Sequence, residues 1–139
     1  MRVVFVDTSA LVAFFDKADQ HHPAAVEKME NIKRTQLTLL LTDFVFDETI
    51  TAVVKKINQK TAVKMGEFLL SSNIIEFVWL TETLKERAWE YFKKYTDKIY
   101  SFTDCTSFVL MEDRGLQHYF SFDEDFKRAG FIEFTHEVI

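Results

Sequence analysis

Four acidic residues, Asp7, Glu48, Asp104 and Asp123, stand where an α/β fold gathers its chemistry. Asp7 closes the apolar run Val3-Val4-Phe5-Val6, the pattern of a strand buried on both faces. Asp123 follows the segment Tyr119-Phe120-Ser121-Phe122, and Asp104 opens a helix after Tyr100-Ser101-Phe102-Thr103. Glu48 lies one turn into the helix that follows the Leu37–Leu41 run. Parallel α/β folds bind ligands at the carboxyl ends of their strands, so the four acids are expected on one edge of the sheet. Carboxylates at short range resist joint ionisation. A hard divalent cation removes the conflict, because Mg²⁺ takes oxygen ligands and is commonly held by a few carboxylates beside a substrate phosphate. Such a site activates water and stabilises the charge of an in-line phosphoryl displacement. The chemistry implied is phosphodiester hydrolysis.

Local roles compete for the same residues. Asp104 stands three after Ser101, a capping-box pair. Asp123, Glu124 and Asp125 crowd a helix start, where the helix dipole favours acids. Glu48 has Thr51 and Ala52, not a base, three and four positions on. Asp7, directly after a buried strand, is the least at home on a plain surface.

The elements that must carry these residues alternate between strand and helix. Thr8-Ser9 leads into a helical stretch from Ala10 to Phe15, and Pro23 starts a helix through Val26, Met29 and Ile32. Thr42-Asp43 caps a helix from about Phe44 to Ile57, whose core face is read from Phe46, Ile50, Val53, Val54 and Ile57. A helix over Gln59–Leu70 precedes a strand at Ile74–Trp79. An amphipathic helix over Thr81–Tyr95 runs through Leu84, Ala88, Tyr91 and Phe92. Another spans Thr103–Arg114 and ends at Gly115, which suits a left-handed terminus. A short strand at His118–Phe122, one or two helical turns at Asp123–Arg128 and a strand at Phe131–Phe134 complete the chain. The pattern predicts an α/β fold: a central, mainly parallel sheet of about five strands flanked by helices, with residues 1–139 as one domain.

Composition excludes several classes. The 139 residues are 47% apolar, enough for a sizeable core, and fifteen Phe predict one built on aromatic rings, with Trp79 and Trp89 read as part of it. Gly66, Gly115 and Gly130 are the only glycines and lie far apart, which rules out a dinucleotide-binding fingerprint and a P-loop. Cys105 is alone and read as a buried small residue, and no Cys/His spacing suits structural zinc. Asp7 interrupts the apolar start, unlike a signal peptide, and no run approaches the length of a membrane span. A soluble, cytoplasmic protein without membrane partners is expected.

The opening Val3-Val4-Phe5-Val6-Asp7-Thr8-Ser9-Ala10-Leu11 resembles the first motif of PIN-domain nucleases, the fold of the VapC-type toxin ribonucleases. Three further motifs fall in that family's order: Asp47-Glu48, Ser101-Phe102-Thr103-Asp104-Cys105 and Ser121-Phe122-Asp123-Glu124-Asp125-Phe126. The last carries Ser121 where Thr is frequent, which keeps the hydroxyl. The resemblance covers nearly the whole chain and implies a PIN-like three-layer fold and a metal-dependent ribonuclease preferring single strands. It implies that Asp7, Glu48, Asp104 and Asp123 bind Mg²⁺ or Mn²⁺, directly or through water. It makes Asp125 an auxiliary acid and has Thr8, Ser9 or Ser101 orient ligands or waters. It also implies an RNA substrate, a homodimer and, for a toxin, a small antitoxin that blocks the site. The segments around His21-His22 and Lys98–Tyr100 lie outside these motifs.

A haloacid-dehalogenase-like phosphatase also begins with a strand ending in Asp, but uses a second Asp where this chain has Ser9. A receiver domain carries its acceptor Asp on a middle strand. A PIN-like module that only binds RNA or protein would be expected to lack one of the four acids, and all four are present. His21-His22 reads as a loop before the Pro23 helix. The pairs Lys55-Lys56, Lys93-Lys94 and Lys127-Arg128 read as solvated charge; Lys127 and Arg128, close after Asp123, are the best placed to touch RNA. The net charge of −5 opposes bulk attraction of nucleic acid, yet setting the four proposed ligands aside leaves −1 for the rest.

Overall fold

In the computed structural model, which describes residues 2–135, five short strands form one sheet with every neighbouring pair parallel. The strands are β1 (Val3–Val6), β2 (Thr38–Thr42), β3 (Ile75–Val78), β4 (His118–Phe120) and β5 (Ile132–Glu133), in the order β3-β2-β1-β4-β5. The helices are α1 (Thr8–Phe15), α2 (His22–Arg34), α3 (Asp43–Lys56), α4 (Gln59–Ser71), α5 (Glu82–Lys94), α6 (Phe102–Arg114) and α7 (Asp125–Arg128). The central position of β1 explains its apolar run: Val4, Phe5 and Val6 are fully buried. The chain first builds outward from β1 through β2 to β3, then returns to place β4 on the other flank of β1. That reversal opens a crevice at the carboxyl ends of β1 and β4, where Asp7 and Asp123 follow.

Helix starts are fixed by short polar side chains. Thr42 Oγ1 accepts the Val45 N–H at 3.1 Å, and Thr81 Oγ1 that of Leu84 at 3.2 Å. Asp43, expected to share the cap, instead accepts the Leu80 N–H at 2.9 Å and ties α3 to the chain after β3. At the other end of α6, Gly115 takes φ +66°, and the Leu116 N–H reaches the Met111 carbonyl at 2.8 Å. A Cβ at Gly115 would meet nothing within 4 Å, so Gly115→Ala is charged for backbone conformation alone. A loss of about 1 kcal/mol in chemical denaturation is expected, with unchanged activity. A larger loss would mean that the terminus carries packing as well.

The aromatic core is present, with Phe5, Phe108, Phe120, Phe126 and Phe134 fully buried. Phe108 is its hub, with ring centroids 5.0 Å from Phe126, 5.1 Å from Tyr100, 5.6 Å from Phe131 and 5.7 Å from Tyr91. Four expected core residues lie outside it. Helix α3 buries Val45, Thr49 and Val53, one i, i+4, i+8 stripe; Phe46 and Ile50 turn instead to Gly66 of α4, and Val54 is left 43% exposed. Helix α5 buries Leu84 and Ala88, while Trp89 and Phe92 remain 52% and 40% exposed and stack on each other at 5.7 Å. Trp79 follows β3, an edge strand covered on one side only, and is 71% exposed. The strand expected to reach Phe122 stops at Phe120, and the last strand contracts to Ile132–Glu133. Among the described residues, no helix is long and apolar enough to cross a membrane.

Candidate active site and metal centre

The sheet itself places Asp7. Its N–H donates to the Phe120 carbonyl at 3.1 Å, extending the β1–β4 ladder by one residue. Asp7 is the N-cap of α1 in extended conformation (φ −106°, ψ 166°), yet its carboxylate caps nothing. One oxygen, Oδ2, accepts from the Ser121 hydroxyl at 3.2 Å. The other, Oδ1, is buried and has no partner among the described residues. An unpaired buried carboxylate oxygen is costly unless something positive meets it.

A line of hydroxyls supports this acid. The Phe122 N–H donates to Ser9 Oγ at 2.9 Å, and Ser9 and Ser121 hydroxyls are 3.0 Å apart. With the Ser121 proton given to Asp7, the Ser9 hydroxyl must donate to Ser121. Ser121 Oγ also accepts the Asp123 N–H at 3.0 Å, and Asp123 Oδ1 accepts that of Asp125 at 3.0 Å. These two turns end the strand at Phe120 and aim the late acids into the crevice. Asp104 completes a capping box: Ser101 Oγ accepts its N–H at 2.9 Å and its Oδ2 accepts the Ser101 N–H at 3.1 Å. One carboxylate oxygen of Asp104, Oδ2, is thus engaged by the cap. Glu48, on α3, accepts the Thr8 hydroxyl at 2.6 Å, which accounts for its lack of a basic partner along the helix.

Asp7, Glu48, Asp104 and Asp123 line one cleft of about 840 Å³ together with Thr8, Ser9 and Ser101. The tightest acidic group within reach of a single ion is Asp104, Asp123 and Asp125, whose carboxylate oxygens lie within 4.8 Å of one another. Asp125, expected as an auxiliary, therefore stands in the closest cluster, whereas Asp7 follows β1 and Glu48 comes from α3. Arg128 lines the cleft with its guanidinium held by Asp125 at 2.8 Å, and Lys127 lines a neighbouring groove.

Electrostatics match that arrangement. Burial, and then the Asp104 charge, push the Asp7 carboxyl up to about 7, with Glu48 adding to the effect. Burial and the charges of Asp123 and Asp125 raise Asp104 to about 6, against the opposing pull of its Ser101 hydrogen bonds. An all-oxygen donor set, a partnerless buried oxygen and mutually repelling acids suit a hard divalent cation.

Several cleft residues were not assigned to the site from sequence, where Lys56 reads as solvated charge and His21 as loop. Lys56 lies eight residues after Glu48 with Ala52 between, and all three line the cleft along one face of α3; the i, i+4, i+8 spacing is the signal that finds them. Asp19 and His21 come from the loop before α2, and Ile99 and Tyr100 from the segment before α6, both outside the recognised motifs. The loops that carry no motif form the rim.

Comparison with known proteins finds similarity along most of the chain. The family model described as PIN domain matches residues 4–132. The "23S rRNA-specific endonuclease VapC20" of Mycobacterium tuberculosis is 32% identical over 131 residues, covering 94% of this chain and 97% of that protein. The crystal structure of Mycobacterium tuberculosis VapC20, a "Sarcin-Ricin loop cleaving toxin", aligns with a TM-score of 0.83 and 30% identity, over 93% of this chain and 96% of that one. VapBC2 from Rickettsia felis, solved with a DNA fragment from its promoter, shares the fold at TM-score 0.71 and 14% identity, covering 95% and 97% of the two chains. FitAcB from Neisseria gonorrhoeae shares it at 0.65 and 14%, covering 98% and 99%.

Proposed function

The chain belongs to the PIN-domain family, and on that premise we propose that it is a divalent-metal-dependent endoribonuclease, the toxin of a toxin–antitoxin pair. The observation that carries the reading is the partnerless buried Asp7 Oδ1 in a cleft shared with Glu48, Asp104 and Asp123, in a chain similar throughout its length to a ribosomal RNA endonuclease. We read residues 1–139 as one PIN-like unit.

Asp104, Asp123 and Asp125 would hold the ion, with Asp7 as a further ligand and Glu48 acting directly or through water. Mg²⁺ is the first choice and Mn²⁺ the second, both being hard cations suited to carboxylates. The bound cation supplies charge for the transferring phosphoryl group and lowers the pKa of a water. The chain's own residues hold and orient. Ser121 and Ser9 fix the Asp7 rotamer, the Ser101 cap fixes Asp104, and Thr8 fixes Glu48. The RNA substrate follows from the relative's activity, and a small antitoxin protein would be the partner that keeps such a toxin in check.

The test is cleavage of a 23S rRNA fragment bearing the sarcin–ricin loop, with the ion stripped by EDTA and returned. Cleavage is expected with Mg²⁺ or Mn²⁺, none with EDTA, and recovery on adding the ion back. Cleavage that EDTA leaves intact would sink the metal assignment. No cleavage of any RNA under any ion would sink the enzyme.

A further inference from the structure

The loop between α1 and α2 brings an aromatic ring to the acid cleft. His21 and Phe122 stack face to face, with centroids 4.4 Å apart and planes 5° from parallel. Phe122 directly precedes Asp123, so this stack adjoins the acidic cluster through the chain. The loop is braced at several points. Asp19 Oδ1 accepts the His21 N–H at 2.8 Å, the His21 carbonyl accepts from Ala25 at 2.9 Å, and His22 Nδ1 lies 2.8 Å from the Ala13 carbonyl. The hydrogen bonds recorded at His21 are made by its backbone, while its ring, half-buried, is engaged by stacking.

The stack also joins two spaces. His21, Phe122, Asp123 and Glu124 line both the acid cleft and a second groove of about 390 Å³ that runs on to Lys127 and Phe131. A strand leaving the metal centre along this route passes over the His21 ring. Asp19, Asp123 and Glu124 line the same spaces with negative charge, which repels a phosphate but not the neutral face of a base. Lys28 Nζ lies 5.8 Å from the Phe122 ring centroid, and Lys56 in the cleft and Lys127 in the groove suit the flanking phosphates.

We propose that His21, presented on Phe122, is the stacking platform for the nucleobase next to the scissile phosphodiester of a single-stranded RNA, and that the strand continues through the Lys127 groove. His21 is thus a positioning residue for substrate rather than a ligand or an acid–base group. The inference deepens the ribonuclease reading and rests on it.

The test compares His21→Ala and His21→Phe with the parent in Mg²⁺-supported cleavage of a short fluorogenic single-stranded RNA. Magnesium affinity by calorimetry and thermal melting are followed alongside. Stacking of one base predicts that His21→Ala raises KM roughly 5- to 100-fold, with kcat, Mg²⁺ affinity and melting little changed. His21→Phe, which keeps a flat ring on Phe122, should restore KM. Three results would overturn the proposal: unchanged KM in His21→Ala; a KM defect that His21→Phe does not repair; or weakened Mg²⁺ binding with normal KM, the mark of a loop brace. A parent that cleaves while His21→Ala keeps its KM removes this inference alone. A parent that cleaves no RNA removes the ribonuclease reading as well.

Discussion

Asp7→Asn is expected to lose at least about 100-fold in metal-dependent cleavage, since even outer-shell changes at metal sites cost 10–100-fold. The same substitution should make the metal-free protein more stable at alkaline pH. The folded carboxyl sits near 7 against 3.8 in a free chain, because it is buried beside Asp104. Between those values the folded state keeps a proton that the unfolded state has lost, so the metal-free protein loses stability as pH rises through that window. Above the folded value the full cost remains, on the order of a few kcal/mol at 1.36 kcal/mol per pKa unit. Asn carries no such charge and escapes it, offset by about 1–3 kcal/mol if its amide nitrogen finds no acceptor where Oδ1 now has no donor. In EDTA the variant should therefore melt above the parent near pH 8, and the gap should close towards pH 4. Added Mg²⁺ should raise the melting of the parent more than that of the variant, which keeps Asp104, Asp123 and Asp125. A fully active variant would remove Asp7 from the ion, and one that melts below the parent at pH 8 in EDTA would overturn the raised Asp7 carboxyl.

That trade between stability and function also explains which parts of the site the sequence displayed. Asp7 was legible because a charge ending a run of buried β-branched and aromatic residues has no stabilising role there. Glu48 was legible by the absence of a helical partner, and its actual partner, Thr8, lies forty residues away at the start of α1. Asp104 was harder to read, since a capping box explains it completely until Asp123 and Asp125 are seen beside it. Asp125 was read with Asp123 and Glu124 as an acid of a helix start, a local role that hides its closeness to Asp104.

The fold was legible for a related reason. Parallel strands buried on both faces leave continuous apolar runs, and Gly115, Pro23, Thr42 and Thr81 mark helix ends by local chemistry. Misreadings fall at the margins of the sheet. Trp79, Trp89, Phe92 and Val54 have the hydropathy of core residues, and only topology decides that β3 is an edge and that α5 buries a narrow stripe. The cleft rim was invisible for a different cause. His21, Ile99 and Tyr100 sit on connections whose paths depend on which elements they join, and periodicity does not describe a connection.

Phe126→Ala is the substitution expected to hurt stability most while touching no acid. Its fully buried ring lies 5.0 Å from Phe108, 5.2 Å from Tyr119 and 5.9 Å from Phe5. It is also the one buried residue of α7, a four-residue helix too short to hold itself together. Removing the ring should cost about 3–5 kcal/mol in denaturant, whereas Phe126→Leu, which keeps most of the volume, should cost under about 1.5 kcal/mol. The more informative readout is the ion. Asp125 begins α7 and Asp123 stands two residues before it, so an unanchored helix lets both carboxylates drift from Asp104. Calorimetry at low temperature, where Phe126→Ala is still folded, should therefore show weakened Mg²⁺ binding, and Phe126→Leu should bind nearly as the parent does. Lost stability with unchanged Mg²⁺ affinity would mean that the Ser121 and Asp123 turns hold the late acids unaided, and that the aromatic core ends where the site begins.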